Sequence, residues 1–323
     1  MLNVVNKRYL FFALSLLVII PGLVSLGLFG LHAGIDFTGG TAWELVLPNQ
    51  TQPVAAEDVQ RIFSNQNFGG NANVQVSPPN AQKQVLVSVR TPVVKDVETK
   101  RGPLLQALQA KYPQASIASL DTVGATVSSE SRNQAVVAVL AASAAILLYM
   151  TVAFRKASHP VRYGVTALMA MLHDVLVVLG IASIFGKLFG LEVDALFLTA
   201  LLTVISFSVH DTIVVYDRVR ENQLHRRTNQ SFEEVVNLSI VQTLARSINT
   251  QLTALLTLLA LSLFGGRTIR DFVLILMIGL VSGTYSSIFN AAQLLVVWEN
   301  GWGRDWRRVF GHKELHTTTA KVY

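Results

Sequence analysis

The sequence predicts a membrane α-helical bundle of six transmembrane helices, with one α+β ferredoxin-like domain between the first and second. Three observations predict it. The chain is 51% hydrophobic and only 14% charged, where soluble domains carry about 25% charged residues. Four segments, residues 9–31, 134–154, 163–185 and 193–216, are apolar over the roughly 20 residues a bilayer span needs. Seven of the nine prolines fall between residues 32 and 132, which excludes further spans there and suits a folded aqueous domain.

The first span, residues 9–31, has a longer apolar core than a signal peptide and no clear small-residue cleavage site, so it reads as an uncleaved anchor. After it, a strand is expected at 42–47 and a helix at 55–66, with Val59, Ile62 and Phe63 on one face. Val74 and Val76 mark a short strand, Pro78-Pro79 a turn, and 84–90 alternates with Val85, Val87 and Val89 on one side. A helix at 103–111, with Pro103 in its first turn, and a strand at 116–122 complete the set. Strand–helix–strand–strand–helix–strand is the split βαβ order. Two further spans follow the first four, at 235–264 and 272–298. Asn237, Gln242, Arg246, Asn249 and Gln251 dilute the former. The expected domains are thus residues 1–31 (N-terminus and first helix), 32–132 (α+β domain), 133–300 (five-helix bundle) and 301–323 (basic tail).

The formal charge is +6, but its placement argues for topology rather than nucleic acid. Lys7 and Arg8, Arg155, Lys156 and Arg162, Arg218, Arg220, Arg226 and Arg227, and Arg304, Arg307, Arg308 and Lys313 fall on one side of a six-span chain. Short loops rich in Lys and Arg stay in the cytoplasm, so both termini are expected inside and the α+β domain outside. There is no cysteine, which removes disulfides, thiolate metal sites and thiol catalysis.

Ionisable residues inside spans are costly and mark ion or proton paths. Asp211, in the fourth span, is expected about five residues short of its cytoplasmic end, roughly 8 Å below the interface. It reads as a proton carrier or as half of a structural ion pair. Arg246 lies in the fifth span, where helical phase puts Val235, Leu238, Val241, Arg246 and Asn249 along one side. Arginine stays charged, so it is read either as the residue that pairs with ionised Asp211 or as one that snorkels to the surface. His173 and Asp174, in the third span, read equally as a secondary relay or as helix-packing polar groups. His210 precedes Asp211 and faces about 100° away on a helix. The His173-Asp174 and His210-Asp211 dipeptides form a small internal echo. Gly34, Asp36, Gly39 and Gly40, in GIDFTGGT at 34–41, read as the junction between first span and first strand, with the glycines free to turn at positive φ. Asp217, Arg218, Arg220 and Glu221 read as a solvated helix end, and Asp194 and Thr199 as cap and interface residues.

No metalloprotease, nucleophile-elbow or nucleotide-binding fingerprint occurs, so the reading is a non-enzyme without cofactor or metal, driven by an ion gradient or another protein. GIDFTGGT, HDTIVVYDRVREN at 210–222, QTLARSINT at 242–250 and LFGG at 263–266 resemble the SecD/SecF family of bacterial protein-export membrane proteins, relatives of the resistance–nodulation–division exporters. The likeness covers nearly the whole chain and is to the SecF-like members. It implies an accessory subunit of the Sec translocase in the bacterial cytoplasmic (inner) membrane. The implied partners are a SecD-like subunit, the SecYEG channel, an unfolded preprotein in transit and membrane lipid, with protons as coupling ion. The family's proton-path aspartate maps onto Asp211 and its arginine onto Arg246, while a third acidic group belongs to the SecD-like half. Two other readings stand beside it, a small-molecule proton-antiport exporter and a passive scaffold of the channel.

Overall fold

The computed structural model describes residues 3–49, 53–66, 68, 72–80, 83–94, 96–157, 159–265, 269–301 and 304–306. Among them, six helices are long and apolar enough to cross a membrane. The first, Val5–Phe29, is a 3-10 turn (Val5–Lys7) leading into α1 (Arg8–Phe29). The next four are α5 (Ala125–Ala153), α6 (Pro160–Phe189), α7 (Ala195–Leu224) and α8 (Phe232–Phe264). The sixth, Arg270–Asn300, joins α9 (Arg270–Ser286), a π-helical segment (Ser287–Ala291) and α10 (Ala292–Asn300).

Several helices outrun the apolar segments that announce them. The helix that holds the second span, α5, begins at Ala125, before the apolar segment, and α7 runs past Tyr216 to Leu224. Polar residues extend these ends because they pair along the helix: Arg220 meets Asp217 at 2.8 Å and Arg218 meets Glu221 at 2.6 Å, both at i,i+3 spacing. Asp211 therefore lies well inside α7. Of the expected tail, only Gly301 and residues 304–306 are described; Arg307, Arg308 and Lys313 lie outside the described residues, as does Gly266 of LFGG.

Between α1 and α5 lie the short helix α2 (Ile35–Thr38), β1 (Gly40–Leu47), α3 (Ala56–Asn65), β2 (Asn73–Val76), β3 (Val85–Thr91), α4 (Val97–Lys111) and β4 (Ser116–Val123). The four strands form one antiparallel sheet in the order β2-β3-β1-β4. Trp43 of β1 stands opposite Val89 of β3 and Leu120 of β4. Alternation puts Trp43, Leu45 and Leu47 with Val85, Val87 and Val89 in one buried core, closed by Val59 and Phe63 of α3 and Leu104 and Leu108 of α4. One helix boundary departs from the sequence reading. α4 starts at Val97, so Pro103 lies inside it rather than in the first turn. The polar run Glu98–Gly102 shows no apolar period, yet Val97 packs on the core and anchors that turn.

The chain forms two compact units: residues 1–24, 142–180 and 200–323, and residues 25–141 and 181–199. In the first, glycines bring helices together. A Cβ on Gly22 of α1 would come within 2.8 Å of the Gly180 backbone of α6. One on Gly279 of α9 would overlap Val204 of α7, and one on Gly283 would sit 3.2 Å from Ser208 Cβ. Small residues at crossings are how spans associate where apolar burial gives no drive. The second unit contains the sheet domain and the loop joining α6 to α7.

Candidate functional site: two buried carboxylates and a domain junction

Asp211 is buried on α7 and accepts a hydrogen bond from Gln251 Nε2 of α8 at 2.6 Å. Arg246 is exposed, and no ion pair or hydrogen bond brings it to Asp211. The reason is the phase of α8. Its buried side carries Val236, Ile240, Thr243, Ser247 and Gln251, so the side holding Arg246 and Asn249 turns away from Asp211. Gln251 was visible in the sequence only as a polar interruption.

Asp174, on α6, is fully buried and sits in a cradle of hydroxyls. Ser208 of α7 donates to its Oδ2 at 2.5 Å, Ser286 of α9 to the same oxygen at 2.6 Å, and Ser282 to Oδ1 at 2.6 Å. His173 Nδ1 adds a contact to Oδ1 at 3.0 Å. The His173 ring stacks on Tyr285, with centroids 6.0 Å apart. The echo between the two His-Asp dipeptides ends at sequence. His173 touches its aspartate, whereas His210 is exposed while Asp211 is buried. The three serines carried no sequence signal of their own, because hydroxyls in spans commonly bond back to the preceding turn.

The junction residues meet the loop between α6 and α7. Ala33 and Val193 form a parallel bridge; Gly34 N–H donates to Val193 O at 2.7 Å, and Val193 N–H to His32 O at 2.8 Å. A Cβ on Gly34 would lie 3.1 Å from both Asp194 Cβ and Val193 O, so a larger residue there would be tight. Asp36 Oδ2 accepts from Ala195 N–H at 2.9 Å and Asp194 Oδ1 from Phe197 N–H at 2.7 Å. Two carboxylates thus cap the first turn of α7, where orphan N–H groups and the helix dipole favour negative charge. Gly39 and Gly40 have φ of 73° and 134°, and a Cβ on Gly40 would come 2.8 Å from Thr91 O. Arg90 of β3 pairs with Glu192 and donates to Ala33 O at 3.2 Å. Burial pushes the Arg90 guanidinium down to about 10, with Asp194 and Asp36 opposing it. Burial likewise pushes the Asp194 carboxyl up. The sheet domain is thereby tied to the N-terminus of the helix that bears Asp211. Asp36→Ala is expected to loosen that turn by about 1 kcal/mol, measured as roughly fivefold faster amide exchange at 195–198. Unchanged exchange there would show that Asp194 caps the helix alone.

Among the described residues, no cluster of three or more His, Asp or Glu side chains is placed to hold a metal ion.

Comparison with known proteins fits this architecture. The family described as "Protein export membrane protein SecD/SecF, C-terminal" matches residues 104–301. The chain is 52% identical to a protein translocase subunit SecF from Thermobaculum terrenum, over 97% of this chain and 98% of that protein. It is 47% identical to the SecF subunit of Anaerolinea thermophila, over 95% and 97% respectively. A crystal structure of SecDF from Thermus thermophilus, titled a translocon-associated membrane protein, superimposes with a TM-score of 0.79 at 36% identity. That match covers 93% of this chain but 39% of the SecDF chain, so this chain spans about two fifths of it. A second SecDF structure, in a form titled super-membrane-facing, gives a TM-score of 0.64 at 34% identity, covering 95% and 40%. Matched almost end to end by SecF subunits, the chain belongs to the SecF family of protein-export membrane proteins.

Proposed function

We propose that this protein is an accessory subunit of the Sec protein translocase which, with a SecD-like partner, couples the proton-motive force to completion of preprotein export. One observation carries the reading: α7 is a single helix with a buried carboxylate, Asp211, in its interior and the root of the sheet domain bonded to its first turn. A proton taken or released at Asp211 changes the charge on that helix. Each charge crossing the membrane yields roughly 2.3 kcal/mol per 100 mV, enough to bias a two-state element by one to two orders of magnitude. Motion of α7 then reaches the ferredoxin-like domain, placed on the outer face of the bacterial inner membrane with both termini in the cytoplasm. There it holds or pulls the unfolded chain emerging from the SecYEG channel.

The exposed side of α8 supports the partner. Arg246 and Asn249 are polar and uncovered on a helix long and apolar enough to span, and lipid is a poor solvent for both. A SecD-like subunit is the proposed cover, bringing Arg246 and a further acidic group into the relay. A Thermus thermophilus relative named SecDF, of which this chain matches 35% at 40% identity, supports it.

The test is gradient-dependent export in membrane vesicles containing the complex, comparing the native chain with Asp211→Asn. Loss of the gradient-dependent component with assembly intact is the expected result. Unchanged dependence would move the protein to the scaffold reading. Antiport of small molecules with no effect on export would make it an exporter.

A further inference from the structure

We infer that Asp174 is a positioning residue for Asp211: a fixed anion that sets the rotation and depth of α7 against α6 and α9. The inference rests on the proposed proton-carrying role of Asp211. Its own basis is geometric. An ionised carboxylate offers about four lone-pair positions and no donor. Asp174 has four polar partners around it, two on each oxygen: hydroxyls of Ser208, Ser286 and Ser282 that donate, and His173 Nδ1. A proton on either oxygen would need a hydroxyl to turn and accept, or His173 Nδ1 to be without its own proton, so the cradle as it stands, with three hydroxyls donating, complements a charge. A carrier, by contrast, needs a state for each protonation level.

The cradle joins three helices. Ser208 comes from α7, and Ser282 and Ser286 from α9. Gly283 lets the α9 backbone lie directly on Ser208, and Gly279 does the same at Val204 one turn earlier. Neither contact leaves room for α7 to slide without breaking a hydroxyl bond to Asp174. Ser208 precedes Asp211 by three residues, nearly one helical turn, and both are buried. Whatever fixes Ser208 therefore fixes the direction in which Asp211 points, and with it the bond from Gln251. Directly after Ser286 the helix changes to its π-helical segment, Ser287–Ala291, a feature frequent where helices carry function. Asp174 holds the last regular turn before it.

An infrared titration of the complex with its SecD-like partner in vesicles tests this. The Asp211 carboxyl band is identified by its absence in Asp211→Asn. Asp174→Asn is expected to move the Asp211 midpoint by about one pH unit, a tenfold change in proton concentration. Ser208→Ala, which cuts only the tie to α7, is expected to move it the same way by less. Ser282→Ala, which cuts a tie to α9 and keeps the bond from α7, is expected to move it less than Ser208→Ala. A residue that only holds the bundle together would lower the amount of complex without moving the midpoint. An unmoved midpoint in assembled Asp174→Asn overturns the inference, and if that variant fails to assemble, an unmoved midpoint in Ser208→Ala does so. Absence of any titrating Asp211 band in the native complex would instead overturn the proton reading on which the inference stands.

Discussion

Asp305→Asn is expected to lower the stability of the helical bundle by about 3–5 kcal/mol, the cost of leaving a buried charge without its partner. Arg8, at the start of α1, is 1% exposed and Asp305 fully buried. Arg8 Nη2 donates to Asp305 Oδ1 at 2.5 Å and Nε to Oδ2 at 2.8 Å, a two-pronged pair. Tyr9 and Asn300 donate to the same carboxylate at 2.8 and 2.7 Å, and Glu233 of α8 takes a further contact from Arg8 at 3.3 Å. Asparagine keeps the shape but removes the charge, and its NH₂ group faces a row of donors. Replacing both partners by apolar residues, Arg8→Met with Asp305→Leu, is expected to cost less than the single change. The pH dependence has a definite sign. Burial alone would push the Asp305 carboxyl up, but the bonds from Arg8, Asn300 and Tyr9 outweigh it and hold the carboxyl below its ordinary value. Its stabilisation is therefore complete above the unfolded value near 4 and disappears as pH falls through the folded one. The native advantage over Asp305→Asn should be level from about pH 5 upward and shrink below about pH 4. Thermal unfolding in detergent across that range checks it, and a constant difference would sink the assignment.

This cluster also shows where the sequence stops being legible. Arg8 reads there as one of the cations that set topology, and its partner lies 297 residues away. The same holds for Asp174, whose serines are 34, 108 and 112 residues distant. Hydropathy and spacing are local measures, and neither registers such a distance. What they do register is periodic or cumulative. The alternation of Val85, Val87 and Val89 marks β3, and six apolar lengths mark six spans. Helix ends were hidden where polar residues extend a helix past its apolar part, as at the start of α5. Asp211 was legible because a carboxylate in an apolar run is costly. Its bond to Gln251 was not, since the phase of α8 depends on which face other helices bury.

Trp43→Ala is expected to destabilise the sheet domain by about 3–5 kcal/mol, the cost of deleting a large aromatic from a packed core. Trp43 is the largest fully buried side chain in the chain's described residues. Its ring meets Phe63 and Phe68 edge-on, with centroids 5.8 and 5.1 Å away, and its Nε1 donates to Thr91 Oγ1 at 3.2 Å. Alanine would leave a cavity at the centre of the sheet and an orphaned hydroxyl acceptor beside it. The domain has its own core, built from β1, β3, α3 and α4, and the spans do not depend on it for their backbone bonds. The loss should therefore be confined: limited proteolysis in vesicles cuts within 40–123, while the membrane-spanning fragments remain protected. Under the proposed function, the same variant should assemble with its partner and keep the Asp211 titration, yet lose gradient-driven export. That outcome would separate the carrier from the arm it moves. Export that survives an unfolded domain would mean that proton movement does its work without it, and the bond from Asp36 to α7 would then be an anchor alone.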